Sequence, residues 1–318
     1  LKIKLKIFLL FILFVYLSRY EGIAQNKMVD SLIQVFKTSV HDTDKVNTLI
    51  KIADEIYTSD PDSAFTVCEK ALVISKKCNF QRGLGASYAW LGVLYDNNGD
   101  FSKGLYNYNK SLEIMKALGN KIEIANQLNN IGAIYFKQGI IEKSLENYIS
   151  SLKIQEEIKD LVGAAYSLSN IGSIYMNQND FEKAFENYNK CLKFFEEIND
   201  RTAVAQCLNN IGMIYRNQNN NTKALEYFLK SLKINEELGN KSLIGSSLIN
   251  IGLMYDRGKE TDKAFDCYTR SLAICMSIGD KYGIANSLNS LSGIYLGKKD
   301  YNKALKYSLK AMEIAKQI

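Results

Sequence analysis

Leu128-Asn129-Asn130-Ile131-Gly132-Ala133-Ile134-Tyr135 is followed by near-copies of itself every 40 residues. Leu168-Ser169-Asn170-Ile171-Gly172-Ser173-Ile174-Tyr175 comes next, then Leu208 to Tyr215 and Leu248 to Tyr255. Weaker copies run from Tyr88 to Tyr95 and from Leu288 to Tyr295. A fixed period of this size predicts a stacked repeat, in which each unit buries its apolar face only against its neighbours.

Within a unit the apolar residues recur at helical spacing. Helix A, for example Lys121 to Lys137, is followed by a short turn and by helix B, Ile141 to Ile158. Asn98-Gly99-Asp100 and Gln138-Gly139 mark turns inside units. Gly119-Asn120, Lys159-Asp160, Asn199-Asp200, Gly239-Asn240 and Gly279-Asp280 separate them. Gly or Asn suits the left-handed residue past a helix end, and Asn or Asp then caps the next helix. Asn120 with Glu123 reads as a capping box. Asp60 caps a helix whose first residue is Pro61, the only proline. No stretch alternates like a strand between hairpin turns. The expectation is an all-α chain: a leader over 25–42, then seven antiparallel pairs at 43–80, 81–120, 121–160, 161–200, 201–240, 241–280 and 281–318.

The small residues explain how such pairs pack. Gly92, Gly132, Gly172, Gly212 and Gly252 on helix A, with Ala184, Ala224 and Ala264 on helix B, allow close helix approach. Glycine inside a helix costs about 1 kcal/mol relative to alanine, so five at one register imply a compensating contact. The tyrosine three positions after each glycine is expected to fill the groove between neighbouring helices. In the last unit Ser292 replaces the glycine and Ser308 the aromatic, as suits an end repeat. Alternating charge on helix B, as at Glu182-Lys183, reads as a solvated outer face.

Leu168-x2-Ile171-Gly172-x2-Tyr175, followed by Ala184-x3-Tyr188, resembles the tetratricopeptide repeat signature, as do Ala224-x3-Phe228 and Ala264-x3-Tyr268. The chain departs from that signature in three respects. Leu or Tyr88 stands for the tryptophan, the terminal proline is missing, and the unit is longer. The resemblance implies a right-handed superhelical α-solenoid of the long-repeat kind seen in kinesin light chain and in bacterial sensor proteins.

The amino terminus reads as an export signal. Lys2, Lys4 and Lys6 precede an apolar run from Ile7 to Leu17, and Gly22-Ile23-Ala24 supplies small residues for cleavage after Ala24. The run is short against the ~20 residues needed to span a bilayer. The mature protein is therefore expected to be exported, periplasmic or extracellular, and tethered to a membrane only if cleavage fails or a further segment follows. Formal net charge is +6, and loss of residues 1–24 removes four cations and one anion, leaving +3. That is too weak to argue for nucleic acid. The six cysteines form no C-x-x-C pair, and His41 is the only histidine, so no metal or cofactor is expected. Most of the cysteines fall at apolar helix positions, where a buried thiol is the simplest reading. Cys191 and Cys207 lie on consecutive helices, and an oxidising compartment permits a bridge there without implying one. No catalytic motif occurs, and no enzymatic role is expected.

On a helical wheel Leu128, Ile131, Gly132 and Tyr135 share one side; Asn126, Asn130 and Ala133 fall opposite, with Asn129 on the flank. The family resemblance places that opposite side on a concave groove. Asn130, Asn170, Asn210 and Asn250 then form one file, and Asn129, Asn209 and Asn289 a partial second. Asparagine is a poor helix former, but its amide both donates and accepts. In kinesin light chain such asparagines hold an extended peptide, which the resemblance extends to this chain. The alternative is that the amides bond between adjacent A helices and bind nothing. Tyr166, Phe136, Met176 and Met213 project onto the same groove, as do the cations Lys137, Arg216 and Arg257, which favour an acidic segment or a carboxylate. The expected partner is a protein or peptide segment, with a second copy of this chain a further possibility. A second class of function is also open. The chain would then be the sensory region of a histidine kinase or transcriptional regulator whose output domain lies beyond Ile318.

Overall fold

The computed structural model describes residues 27–318. The expected signal segment lies outside the described residues. Those residues form fifteen helices and no strand. Helix α1 spans 27–38. Seven pairs follow: α2 (Asp42–Ile56) with α3 (Pro61–Lys77), α4 (Gln81–Asn97) with α5 (Phe101–Ala117), α6 (Lys121–Lys137) with α7 (Ile141–Glu157), α8 (Leu161–Asn177) with α9 (Phe181–Glu197), α10 (Arg201–Asn217) with α11 (Asn221–Leu238), α12 (Lys241–Arg257) with α13 (Thr261–Ile278), and α14 (Lys281–Gly297) with α15 (Tyr301–Ala315). Even-numbered helices are the A helices; odd-numbered ones from α3 are the B helices. The chain divides into two compact units, Leu1–Ile158 and Lys159–Ile318. The first holds α1–α7 and the second α8–α15. No described helix is long and apolar enough to cross a membrane.

The helix ends follow from the turn residues. After α6, Gly139 sits at φ 74°, its N–H donates to the Phe136 carbonyl, and the Ile140 N–H donates to that of Tyr135. This closes the carbonyls left open at a helix end. Lys259 and Lys299 occupy the same left-handed position at φ 62° and 60° without glycine's freedom. Asp100, Asp180 and Asp300 then cap the following B helices, each accepting from the N–H three residues on. Asp60 caps α3 in the same way, with Pro61 in the first turn. The capping box at α6 is only half made. Asn120 accepts from the Glu123 N–H at 3.3 Å, but the Glu123 carboxylate accepts from Gln127 Nε2 at 3.4 Å. Gln127 is buried; its Nε2 takes the Glu123 carboxylate as a partner, while its Oε1 has none within the described residues.

The helix A glycines meet the aromatic of their own helix B. A methyl group on Gly92 would lie 2.5 Å from the Tyr108 ring; on Gly212 and Gly252 it would lie 2.6 Å from Phe228 and Tyr268. At Gly132 and Gly172 the gaps to Tyr148 and Tyr188 are 3.0 and 3.1 Å. The ring over each glycine is therefore the one 16 residues later, not the tyrosine three later. These rings are buried, and burial pushes the Tyr148 and Tyr268 phenols up to about 12. The last pair shows the same coupling in reverse. With Ser308 in place of a ring, Ser292 fits and donates to the Ala304 carbonyl at 2.7 Å.

The tyrosines three positions after the glycines are half-buried, and Tyr95 and Tyr215 sit at seams between pairs. Phe65 of α3 meets Tyr95 of α4 edge-on at 5.0 Å; Phe185 of α9 meets Tyr215 of α10 at 5.9 Å. Each of these tyrosines also lies beneath a lysine of its own helix B. Lys103, Lys183 and Lys303 stand 5.1 Å from the centres of Tyr95, Tyr175 and Tyr295. The same ammonium groups pair with the capping Asp100, Asp180 and Asp300 at 2.8, 2.9 and 3.0 Å. The charges at the start of helix B are thus more than a solvated face. A lysine there joins a helix cap to an aromatic ring.

Candidate binding face

The seam tyrosines and paired rings leave one side of each A helix uncovered by its own helix B. The sequence-derived candidates divide between the two units: Asn126, Asn129, Asn130 and Lys137 lie in the first, and Tyr166, Asn170, Asn209, Asn210, Arg216, Asn250, Arg257 and Asn289 in the second. Asn126 and Asn289 are exposed, whereas Asn129, Asn130, Asn170, Asn209, Asn210 and Asn250 are half-buried. The asparagine files lie along the A-helix flanks and are not freely displayed.

The amides are not equivalent. Asn250 Nδ2 of α12 donates to Asn209 Oδ1 of α10 at 3.0 Å, tying two A helices together. The two files are therefore cross-linked at this step, as the inter-helix alternative envisaged. Asn129 and Asn170 are engaged as well. By contrast, the Asn130 and Asn210 amides make no hydrogen bond within the described residues. Each keeps a donor and an acceptor for another molecule.

The cations differ in the same way. Lys137 Nζ lies 2.8 Å from the largely buried carboxylate of Asp96, so its charge is already matched. Arg257 of α12 reaches the Arg216 backbone carbonyl of α10 at 3.4 Å, which brings two guanidinium groups to neighbouring helices. Neither lies within 4.0 Å of a carboxylate among the described residues. Burial, then the charge of Arg257, lowers the Arg216 pKa. Such a pair favours an anion between or beside the two groups.

The apolar candidates are mostly committed. Tyr166 is half-exposed and meets Phe195 of α9 edge-on at 5.4 Å. Met213 packs against the buried cluster around Phe228. Met176 is half-buried, with Asn217 Nδ2 3.9 Å from its sulfur.

A cavity of about 210 Å³ opens on this face between α10, α11 and α12, lined by Gln206, Asn209, Asn210, Asn235, Ser246 and Ser247, among others. Nothing in the wheel of a single A helix reveals it, because Asn235 belongs to helix B. Counting the period does. Asn235 and Gln206 occupy the registers that Phe195 and Tyr166 fill one repeat earlier. Two aromatics become two amides, and the wall hollows. Asn235 is 2% exposed; its Nδ2 lies 3.4 Å from both Ser231 Oγ and Ser247 Oγ, and its Oδ1 has no partner.

Among the described residues no group of three His, Cys, Asp or Glu side chains could hold a metal ion. His41 is exposed just ahead of α2.

Comparison with known proteins bears on the repeat itself. The tetratricopeptide repeat model matches over residues 122–197, 161–237, 202–277 and 243–317. The chain belongs to the tetratricopeptide repeat family. Solved structures share the fold at low identity. The apo quorum sensor NprR from B. thuringiensis is 17% identical, with 94% of this chain and 84% of that one covered at a TM-score of 0.73. BtubC (BKLC) from P. vanneervenii is 21% identical, covering 68% and 91% at 0.61. A Rap protein complexed with Competence and Sporulation Factor is 13% identical, covering 94% and 98% at 0.58. No curated protein sequence matches. These likenesses show the fold alone.

Proposed function

We propose that this protein is an exported, non-catalytic scaffold that holds an extended protein or peptide segment along its A-helix face. The carrying observation is the recurring asparagine of the A helices within each unit, where the Asn130 amide of the first and the Asn210 amide of the second are uncommitted. A half-buried amide with both a donor and an acceptor unspent can pair with a peptide backbone without reading its side chains. Arg216 and Arg257 add unmatched positive charge beside the asparagines of the second unit, which favours an acidic segment. The likeness in fold to a Rap protein solved with a bound factor is consistent with such a role. Export rests on the basic and apolar start of the sequence.

The test is affinity capture followed by comparison of variants. Wild type should retain its partner, and Asn130→Ala/Asn210→Ala should lose most of it while keeping its helical circular dichroism. Arg216→Ala/Arg257→Ala should weaken capture and flatten its dependence on salt. Equal recovery by all three proteins contradicts the proposal.

The second reading, a sensory region of a larger signalling protein, draws on the fold shared with the quorum sensor NprR. The downstream reading frame separates the two. A continuing frame with an apolar run of about 20 residues supports the sensor, and a stop codon after Ile318 counts against it.

A further inference from the structure

Cys191 of α9 and Cys207 of α10 face each other across the seam between two repeats, with their sulfurs 3.0 Å apart. Both are buried. The gap is about 1 Å longer than a disulfide bond. Their registers give the contact meaning. One repeat later the facing pair is Ser231 and Ser247; two repeats later it is Ser271 and Ser287, whose hydroxyls meet at 3.0 Å.

The serine at the helix B register has a second task. Ser151, Ser231 and Ser271 each donate to a helix A carbonyl 26 residues earlier, at 2.8, 2.8 and 2.9 Å. A thiol is a poor donor and replaces that bond badly. Within this array the change from serine to cysteine occurs at both members of one facing pair, and that pair loses a helix-to-helix hydrogen bond by it. A covalent bond across the seam would offset the loss.

We propose that Cys191 and Cys207 form a disulfide that joins α9 to α10. The chemistry is thiol–disulfide exchange with a small-molecule disulfide. A Cys191 thiolate attacks that disulfide, forming a mixed disulfide and expelling one thiolate. The Cys207 thiolate then attacks the Cys191 sulfur and expels the second. Two protein thiols are oxidised, one small disulfide is reduced to two thiols, and the two protein protons end on those thiols. The contact with Cys207, then burial, pushes the Cys191 thiol well above the usual range. The packed seam is therefore unreactive, and the exchange takes place before α9 and α10 close or while they are transiently parted. Once formed, the bridge closes a short ring across one repeat boundary and stiffens that seam alone. This inference does not depend on the binding proposal, since its oxidant is supplied in the test.

The experiment uses the full chain refolded with oxidised and reduced glutathione, then denatured, alkylated with N-ethylmaleimide and digested without reductant. The expected result is a linked peptide pair carrying Cys191 and Cys207, with Cys68, Cys78, Cys267 and Cys275 alkylated. Dithiothreitol should lower the melting temperature of that material by about 5–10 °C, the scale for a bridge closing a ring of this size. Cys191→Ser/Cys207→Ser restores the serine pair of the neighbouring seams and should melt at one temperature with or without reductant. Alkylation of all six cysteines, or a bridge joining any other pair, overturns the proposal.

Discussion

At the scale of single residues, neighbouring asparagines carry different work. Asn250 bonds Asn209, whereas Asn210 has no partner within the described chain. Asn250→Ala should cost about 0.5–1.5 kcal/mol, because Asn209 loses a half-buried donor. Asn210→Ala should leave stability within about 0.5 kcal/mol, and urea denaturation of the two variants measures the difference. The lysines held left-handed make a second case. Lys259→Gly should raise stability by up to about 1 kcal/mol, since the side chain is exposed and the conformation suits glycine. A loss of stability in that variant would mean that the Lys259 side chain makes a contact worth more than the strain. The wheel of one helix put Asn130 and Asn250 on a common face, and both are half-buried there. It could not tell which amide would find a partner, because that depends on the residue 41 positions away on the next A helix.

At the scale of elements, the glycines and rings set how closely each pair packs. Gly212→Ala and Gly252→Ala push a methyl group against a ring carbon at 2.6 Å and should cost about 1–3 kcal/mol. Gly172→Ala meets its ring at 3.1 Å and should cost less. Gly293→Ala on α14 meets nothing within 4 Å and should stabilise by about 0.5–1 kcal/mol. Thermal melts of the four variants give the ranking. If Gly293→Ala were as damaging as Gly252→Ala, a backbone role common to all these glycines would replace the steric one. The need for close approach was legible in the sequence from five glycines at one register. The partner ring was not, since a helix B residue 16 positions later competes with the adjacent tyrosine, and only packing decides between them. The lysine bridges were hidden for a similar reason. A Glu-Lys alternation looks solvated until the cap below it and the ring beside it are placed together.

At the scale of the whole chain, the period carries most of what can be read. It gave the helical class and the family through residues that repeat: leucine, isoleucine, glycine, tyrosine. What breaks the repeat gives individual seams and walls their own character. Asn235 and Gln206 hollow a wall that Phe195 and Tyr166 fill, and Cys191 with Cys207 replaces a serine pair. The capping acids give the array a shared response to pH. Asp100, Asp180 and Asp300 have lowered pKa values, chiefly through their hydrogen bonds with Lys103, Lys183 and Lys303. A lowered carboxylate pKa adds stability above the unfolded value near 4 and loses it as pH falls through the folded value. Melting temperature should therefore hold from pH 7 to about 5 and fall below about 4, and less steeply in Asp100→Asn/Asp180→Asn/Asp300→Asn. The binding proposal is tested most directly by position. A photo-crosslinking amino acid at Gln206, exposed on the A-helix face, should capture a bound segment, and the same group at Lys233, exposed on helix B, should not. Capture at Lys233 with none at Gln206 would contradict the account.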